Sequence, residues 1–469
     1  MTAIPFPLST SPGANPQDSA GRLINTFAEP LGRGARSVAR WRRAPGLTLF
    51  GSTARTGCRG MHEINGILYS AWNGRLVKHT AAGGAAADIG ALNGAARVFF
   101  FRNNKTPTPD QFVVDPNEGA FIFTPTTVSA YPDVDLPAVN SGCAFDGYGI
   151  FSTGAGLIYA TDLNSTAVSA LSFARAEANP DGLLRVIPWG SRLLAFGART
   201  IETWTNAGTS PFPLARDVVI PRGLAGRYAV AGHEDGFTRA LLFVGDDLAV
   251  YRLDGYTPVK VSPPDLDALI EDVPDKDTLE ACVYVADGHG FWQISSPAWT
   301  WVFNTNSETW HERRSHLGSR SRITTSHNAF GRWLVGDTQS GNILAIDPDV
   351  CTEAGNPFPM LLESGPVTAF PGRVRVARAD FDMTTGVGIA AGLDPIETDP
   401  TVEIAWSDDG GLSWSAPLRR SLGRQAVTEP VTVRRTGITS TKGRRWRLQV
   451  ADPVQTALYG GDMAAEARR

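Results

Sequence analysis

A short apolar strand, a glycine turn and a second, aromatic-rich strand recur along this chain about every 40 to 50 residues, and that period restricts its folds more than any other feature. The clearest copies are Gly60 to Tyr69 running into Gly74 to Val77, and Ile187 to Phe196 running into Thr200 to Trp204. Phe145 to Phe151 with Gly156 to Tyr159, and Leu241 to Val244 with Leu248 to Leu253, keep the same rhythm. Less regular copies are Arg97 to Phe101 with Gly119 to Phe123, Val283 to Val285 with Trp299 to Phe303, and Arg332 to Gly336 with Gly341 to Ile346. One such unit cannot bury its own apolar face and must stack on its neighbours. Short alternating strands between glycines point to sheets rather than helix pairs. Closing those sheets into a ring leaves only short, protected edges. The expected fold is therefore all-β, with residues 51–355 forming a β-propeller of about seven blades, six and eight staying open because the Phe99 and Val283 units are irregular.

The 49 glycines and 32 prolines suit many tight turns and argue against extended helices. Asp265 to Asp272 is the best candidate for a short helix. Residues 1–50 differ in kind from the repeats and read as an N-terminal arm and docking segment, with turns at Pro12-Gly13, Asn15-Pro16 and Pro45-Gly46. Within it, Arg33, Arg36, Arg40, Arg42 and Arg43 surround Trp41. Arginine forks beside a stacking aromatic suit a clamp on phosphates or on an acidic partner. A solvated loop whose arginines pair locally fits equally well.

After Asp349 the glycine rhythm gives way to alternating strands such as Arg373 to Met383, Val402 to Trp406 and Arg445 to Val450. Alternation means one face buried and one wet, so residues 356–469 are expected to form a C-terminal antiparallel β-sandwich-like domain. In its last strand Arg445 and Arg447 should share the outer face, with Trp446 and Leu448 inward.

The chain has 43 basic and 47 acidic residues, a net charge of −4, which supplies no global attraction to nucleic acid or anionic membrane. No apolar run reaches the length of a membrane span, and the N-terminus lacks the charged start and apolar core of a signal peptide. Cys58, Cys143, Cys282 and Cys351 stand far apart, as reduced, buried thiols would in a cytoplasmic setting. The seven histidines show no ligand spacing, and no phosphate loop or dinucleotide fingerprint is present, so neither metal nor cofactor is expected. Glu177, Glu202, Asp246, Asp247 and Glu308 sit at strand ends or turns, but no spacing among them selects a catalytic pair, and a non-enzyme is expected. Ser407, Asp409, Gly411 and Trp414 fit the Ser-x-Asp-x-Gly-x-x-Trp turn called the Asp-box, a folding device that sialidases share with many non-enzymes. It leaves a glycan-binding or glycan-cleaving propeller as the alternative reading.

Ala176 to Gly182, followed by Phe196-Gly197 and Thr200 to Glu202, resembles the packaged-DNA stabilisation proteins of short-tailed bacteriophages, also called tail hub or nozzle proteins. The family pattern is an Ala-Glu-x-x-Pro-Asp-Gly turn, here carried by Glu177, Pro180, Asp181 and Gly182, and then a Thr-Ile-Glu strand. Ala44 to Leu47, Cys58 to Gly60 and Arg222 to Gly226 are similar too, in collinear order, so the resemblance spans at least residues 20–260. It implies a structural virion protein of the phage tail, assembled in the host cytoplasm as a ring of six copies below the portal and head-to-tail adaptor. Such a ring would prolong the DNA channel and help to retain packaged DNA, with a tail needle, spikes or fibres docking on it. Double-stranded DNA would pass without sequence-specific binding, which a near-neutral conduit favours, since each neutralised phosphate adds strongly to affinity.

Overall fold

The computed structural model describes residues 1–176 and 181–468, with side chains through residue 466. Asparagine or aspartate followed by glycine makes the tightest hairpins, because both residues can adopt positive φ. Asn65-Gly66, Asp146-Gly147 and Asp287-Gly288 do so here, with φ of 53° and 76°, 49° and 85°, and 50° and 77°. Each joins the first two strands of a meander: Gly60–Ile64 to Ile67–Trp72, Ser141–Phe145 to Tyr148–Ser152, and Glu280–Ala286 to His289–Ser295.

Five such meanders are self-contained four-stranded sheets in which spatial order follows chain order, opening with Gly60–Ile64, Phe99–Arg102, Ser141–Phe145, Leu183–Trp189 and Val230–Ala231. A sixth runs from Glu280–Ala286 to Thr309–Glu312. The seventh holds Ile323–Ala329, Arg332–Asp337 and Asn342–Asp347, and its fourth strand is Gly46–Ser52 from the other end of the chain. Apolar layers fill each joint between neighbouring sheets. Phe99, Phe112 and Phe151 pack between the second and third, Phe196 and Phe243 between the fourth and fifth, and Trp72, Met61 and Leu334 between the first and seventh. The last joint closes the ring, where the Glu63 backbone N–H donates to His327 Nε2 at 2.9 Å.

The short helix forms at Pro264–Glu271, with proline at its first position, Asp265 and Asp267 in the first turn, and Leu266 and Ile270 buried one turn apart.

The C-terminal strands form a sandwich. One layer orders Thr26–Pro30, Ala39–Arg43, Ala457–Arg468, Arg373–Met383 and Val431–Ile438. The other orders Arg22–Ile24, Met360–Glu363, Arg445–Val450, Thr401–Ser407 and Leu418–Ser421. Between them lies a core of Trp41, Val376, Phe381, Trp446, Leu448 and Leu458, in which Phe381 and Trp446 meet edge to face at 5.5 Å. N-terminal strands complete both layers, and the boundary expected at residue 50 falls inside a propeller strand. Ile24 also pairs in parallel with Glu312, so the sixth sheet runs on without a break into the sandwich.

Arg445 shares its face of the strand with Arg447, both reaching Glu363, but it is not exposed there. It is 2% exposed, beneath the N-terminal segment, and donates to the carbonyls of Ser364, Pro16 and Gly410 and to Ser19 Oγ. Residues 16–19 cover that part of the strand, so alternation gives the right face but not the burial. The four cysteines are buried and unpaired.

A fully buried ion pair sits where propeller, closing strand and sandwich meet. Arg313 and Glu353 are each 0% exposed and 2.8 Å apart, and Arg313 also donates to the Pro45 carbonyl at 2.9 Å. Removing one partner leaves a buried charge uncompensated. Glu353→Ala should therefore cost about 3–5 kcal/mol in urea unfolding, while Arg313→Met/Glu353→Leu should recover at least half of that loss.

His311 is 1% exposed, wedged between Phe27 and Phe291, with no hydrogen-bond partner on either ring nitrogen. Burial, followed by the nearby Arg313 charge, pushes its pKa from 6.5 down to about 3. As pH falls, the unfolded chain takes up this proton first, so the stability contribution is present above pH 6.5 and is lost between there and pH 3. At pH 5 the loss is about 2 kcal/mol. His311→Phe should flatten the fall of melting temperature between pH 7 and 5, and an unchanged slope would show that His311 does not titrate this way.

Candidate functional site

Strand Ala39–Arg43 lies between Thr26–Pro30 and Ala457–Arg468, so alternate residues face the sandwich core and the neighbouring sixth sheet. On the core side, Trp41 donates Nε1 to the Pro7 carbonyl at 2.7 Å. Arg43, 5% exposed, donates to the carbonyls of Cys351, Val450 and Asp452 at 2.8, 3.0 and 2.9 Å, and burial pushes its guanidinium pKa down. On the other side, Arg40 forks onto Glu29, its partner directly across the strands, at 2.7 and 3.1 Å. Arg42 reaches Glu29 at 3.5 Å and pairs with Asp287 in the first hairpin of the sixth sheet, tying sandwich to propeller. Partial burial pushes the Glu29 carboxyl up, but Arg40, Arg42 and His289 outweigh it and hold the group below the usual carboxylate range. Arg36 stacks 3.5 Å over the Tyr459 ring and pairs with Asp382 at 3.1 Å. Arg33 is exposed and has no ion pair among the described residues. Four of the six expected interface residues thus brace the fold from within, leaving Arg33, Arg36 and the 81% exposed Val38 at the tip of the hairpin between strands Thr26–Pro30 and Ala39–Arg43.

The Asp-box forms the expected turn. Ser407 Oγ donates to Asp409 Oδ1 at 2.7 Å and accepts from the Gly411 N–H at 2.8 Å, and Asp409 accepts the Ser413 N–H at 3.0 Å. Burial would raise the Asp409 pKa, but hydrogen bonds from Ser413 and Ser407 prevail and hold the carboxyl far below its ordinary range. Gly411, at φ +99°, takes a conformation that side chains resist. Trp414 lies 3.8 Å beneath the Arg447 guanidinium. The Ser407 and Asp409 side chains serve the turn itself, while Asp408 pairs with Arg444 at 2.7 Å outside it.

Of the family-like turn, Glu177 and Pro180 lie outside the described residues. Asp181 Oδ2 accepts the backbone N–H groups of Arg199 and Thr200 at 2.6 and 3.1 Å, holding the hairpin that leads into Ile201–Asn206. Gly182, at φ +68°, follows it into the fourth sheet. This contact explains why the Asp-Gly and Thr-Ile-Glu stretches occur together. The other quoted stretches are joints too. Arg59 donates to the carbonyls of Ala96, Leu92 and Asn93 and pairs with Asp115, while Arg222 pairs with Asp246 at 3.1 Å. A side chain on Gly46 would come within 2.2 Å of the Val350 carbonyl.

The acidic residues noted in the sequence do not converge. Asp246 and Asp247 pair with Arg222, Glu308 pairs with Arg252, and Glu202 accepts from Arg216. None of these described groups lines the propeller's axial cavity. That cavity, about 350 Å³, is walled by inner strands and carries Arg97, Arg102, Arg185, His62, His233, His327, Glu234 and Asp235. Sequence reasoning weighed the histidines only as metal ligands and did not bring these residues together; the signal was a lone arginine next to or within an apolar run, as in Arg97 to Phe101 and Leu183 to Ile187.

No curated protein matches the chain. Among solved structures, that of the computationally designed Ika8 protein is similar over 64% of this chain and 99% of that one, at 6% identity and a TM-score of 0.38, too low to bear on fold or function. Residues 22–351 match the family described as Bacteriophage P22 Gp10, beta-propeller. The matched span starts in the strand that links the sixth sheet to the sandwich and ends just beyond the closing sheet, and it contains every motif that forms a joint of the ring. The chain belongs to the bacteriophage stabilisation family of P22 Gp10 β-propeller proteins.

Proposed function

We propose that this chain is a tail hub subunit that assembles as a ring, six copies around, below the portal and head-to-tail adaptor, prolongs the DNA channel and helps to retain packaged DNA. The family match over residues 22–351 carries this reading. Two features of the chain support it. The axial cavity of one propeller holds about 350 Å³ and is lined by inward side chains, which suits a duplex running between copies rather than through one propeller. The shared sheet and the Arg42 to Asp287 contact join propeller and sandwich, a suitable frame for a wall under internal pressure. A tail needle, spikes or fibres would dock on this ring. The glycan-directed alternative gains nothing from the Asp-box, whose Ser407 and Asp409 side chains are occupied within its own turn.

The hairpin tip with Arg33, Arg36 and Val38 is the proposed contact to adaptor or neighbouring copy. Light scattering and negative-stain imaging of the protein with portal and adaptor should show closed rings that do not form without the adaptor. Arg33→Glu, which touches no internal partner, should weaken ring formation by about tenfold while leaving the melting temperature unchanged. Monomers or small oligomers indifferent to the adaptor would contradict the ring, and normal rings from the variant would remove the hairpin from the interface.

A further inference from the structure

The axial cavity brings together two guanidiniums, Arg185 buried and Arg97 half-buried. Arg185, on the inner strand of the fourth sheet, is 6% exposed. Its Nη1 donates to the carbonyls of Arg227 and Val230 at 3.2 and 3.4 Å, and its Nε has no partner. The ring of Phe99 covers one face of the guanidinium at 4.6 Å. Arg97 enters from the head of the second sheet and donates Nη1 to the Ala281 carbonyl of the sixth at 2.8 Å. Among the described residues neither guanidinium has a carboxylate within ion-pair distance.

A buried charge is tolerated when it is paired, and two like charges sharing one cavity raise the demand for an anion between them. The carboxylates nearby meet it only from a distance: Glu234 favours the Arg185 charge but makes no ion pair with it. Glu234 accepts the Gly232 N–H at 2.6 Å and lies 3.7 Å from His233, while Asp235 is exposed. Burial, its largest cause, pushes the pKa of His233 down to about 4 and that of His62 to about 3, so both rings are neutral at pH 7. Three guanidiniums thus face two carboxylates, and the lining keeps a positive balance. The exposed Arg102, Asn104 and Asp235 mark the open end through which a small solute reaches the deeper pair.

We infer that the propeller axis is a binding site for a small oxyanion, phosphate in kind, held between the guanidiniums of Arg97 and Arg185. Forked guanidinium donors match the oxygens of such an anion, and a charge-assisted hydrogen bond in a secluded site is stronger than its neutral counterpart. An occupied site would pin the second, fourth and sixth sheets to one another across the axis.

The test is isothermal titration of inorganic phosphate into the intact chain at constant ionic strength, together with the ³¹P linewidth of phosphate in its presence. One saturable site per chain and a broadened line are expected. Arg97→Gln, which gives up a single backbone bond, should weaken phosphate by about tenfold or more. Arg185→Gln, if it folds, should do the same. Absence of saturable binding by the unmodified protein up to about 10 mM, a concentration at which a useful oxyanion site would be filled, would overturn the proposal. So would equal affinity in a folded Arg97→Gln protein.

Discussion

The pairing of Gly46–Ser52 with Asn342–Asp347 is the constraint on which the rest of this molecule depends. A ring of sheets needs a last joint, and here the two strands that form it stand almost 300 residues apart in sequence. Bringing them together costs loop-closure entropy, which hydrogen bonds and the Phe50, Leu334 and Ile343 layer must offset. Once they meet, much else is fixed. The strands just before Gly46 are carried to the sandwich, Pro45 is set against Arg313, and Arg43 reaches the carbonyls beside Val450.

Arginine is the second material of the fold. Arg59, Arg313, Arg444 and Arg445 rank among the largest fully buried side chains, and each gathers backbone carbonyls or a carboxylate from segments distant in sequence. A planar donor with five N–H groups satisfies several carbonyls stranded at sheet ends in one stroke, which lysine cannot do. Exposed arginine pairs contribute little, whereas these buried ones are costly to break. The same logic makes the axial pair stand out, because Arg97 and Arg185 are placed like struts but lack the acidic partner that Arg59 and Arg313 have.

The propeller was legible in the sequence because its signals are local. Asn65-Gly66, Asp146-Gly147 and Asp287-Gly288 announce hairpins by their own backbone preferences, and the flanking apolar runs state which sheets must pack. The Asp-box and the helix at Pro264–Glu271 were readable for the same reason. What the sequence hid is long-range. Nothing near Arg22 says that its strand links two domains, and Arg43 and Arg445 look like surface residues until the carbonyls they satisfy are in place. The hairpin tip at Arg33 and Arg36 could be read as a cluster, but not the fact that Arg40, Arg42 and Arg43 turn inward. The axial cavity was hidden too, since strands distant in the chain contribute one side chain each.

In the proposed role, the subunit must stay closed while DNA is held above it and released past it. A propeller whose first strand completes its last sheet, continuous with a sandwich built on the same N-terminal strands, resists opening because the ring and the sandwich must yield together. The most direct measurement is amide hydrogen exchange of the purified protein, read over residues 46–52. The account predicts protection equal to that of the inner strands, lost in one cooperative step together with residues 342–347 and 373–383. Fast exchange at 46–52 while the other sheets stay protected would contradict it.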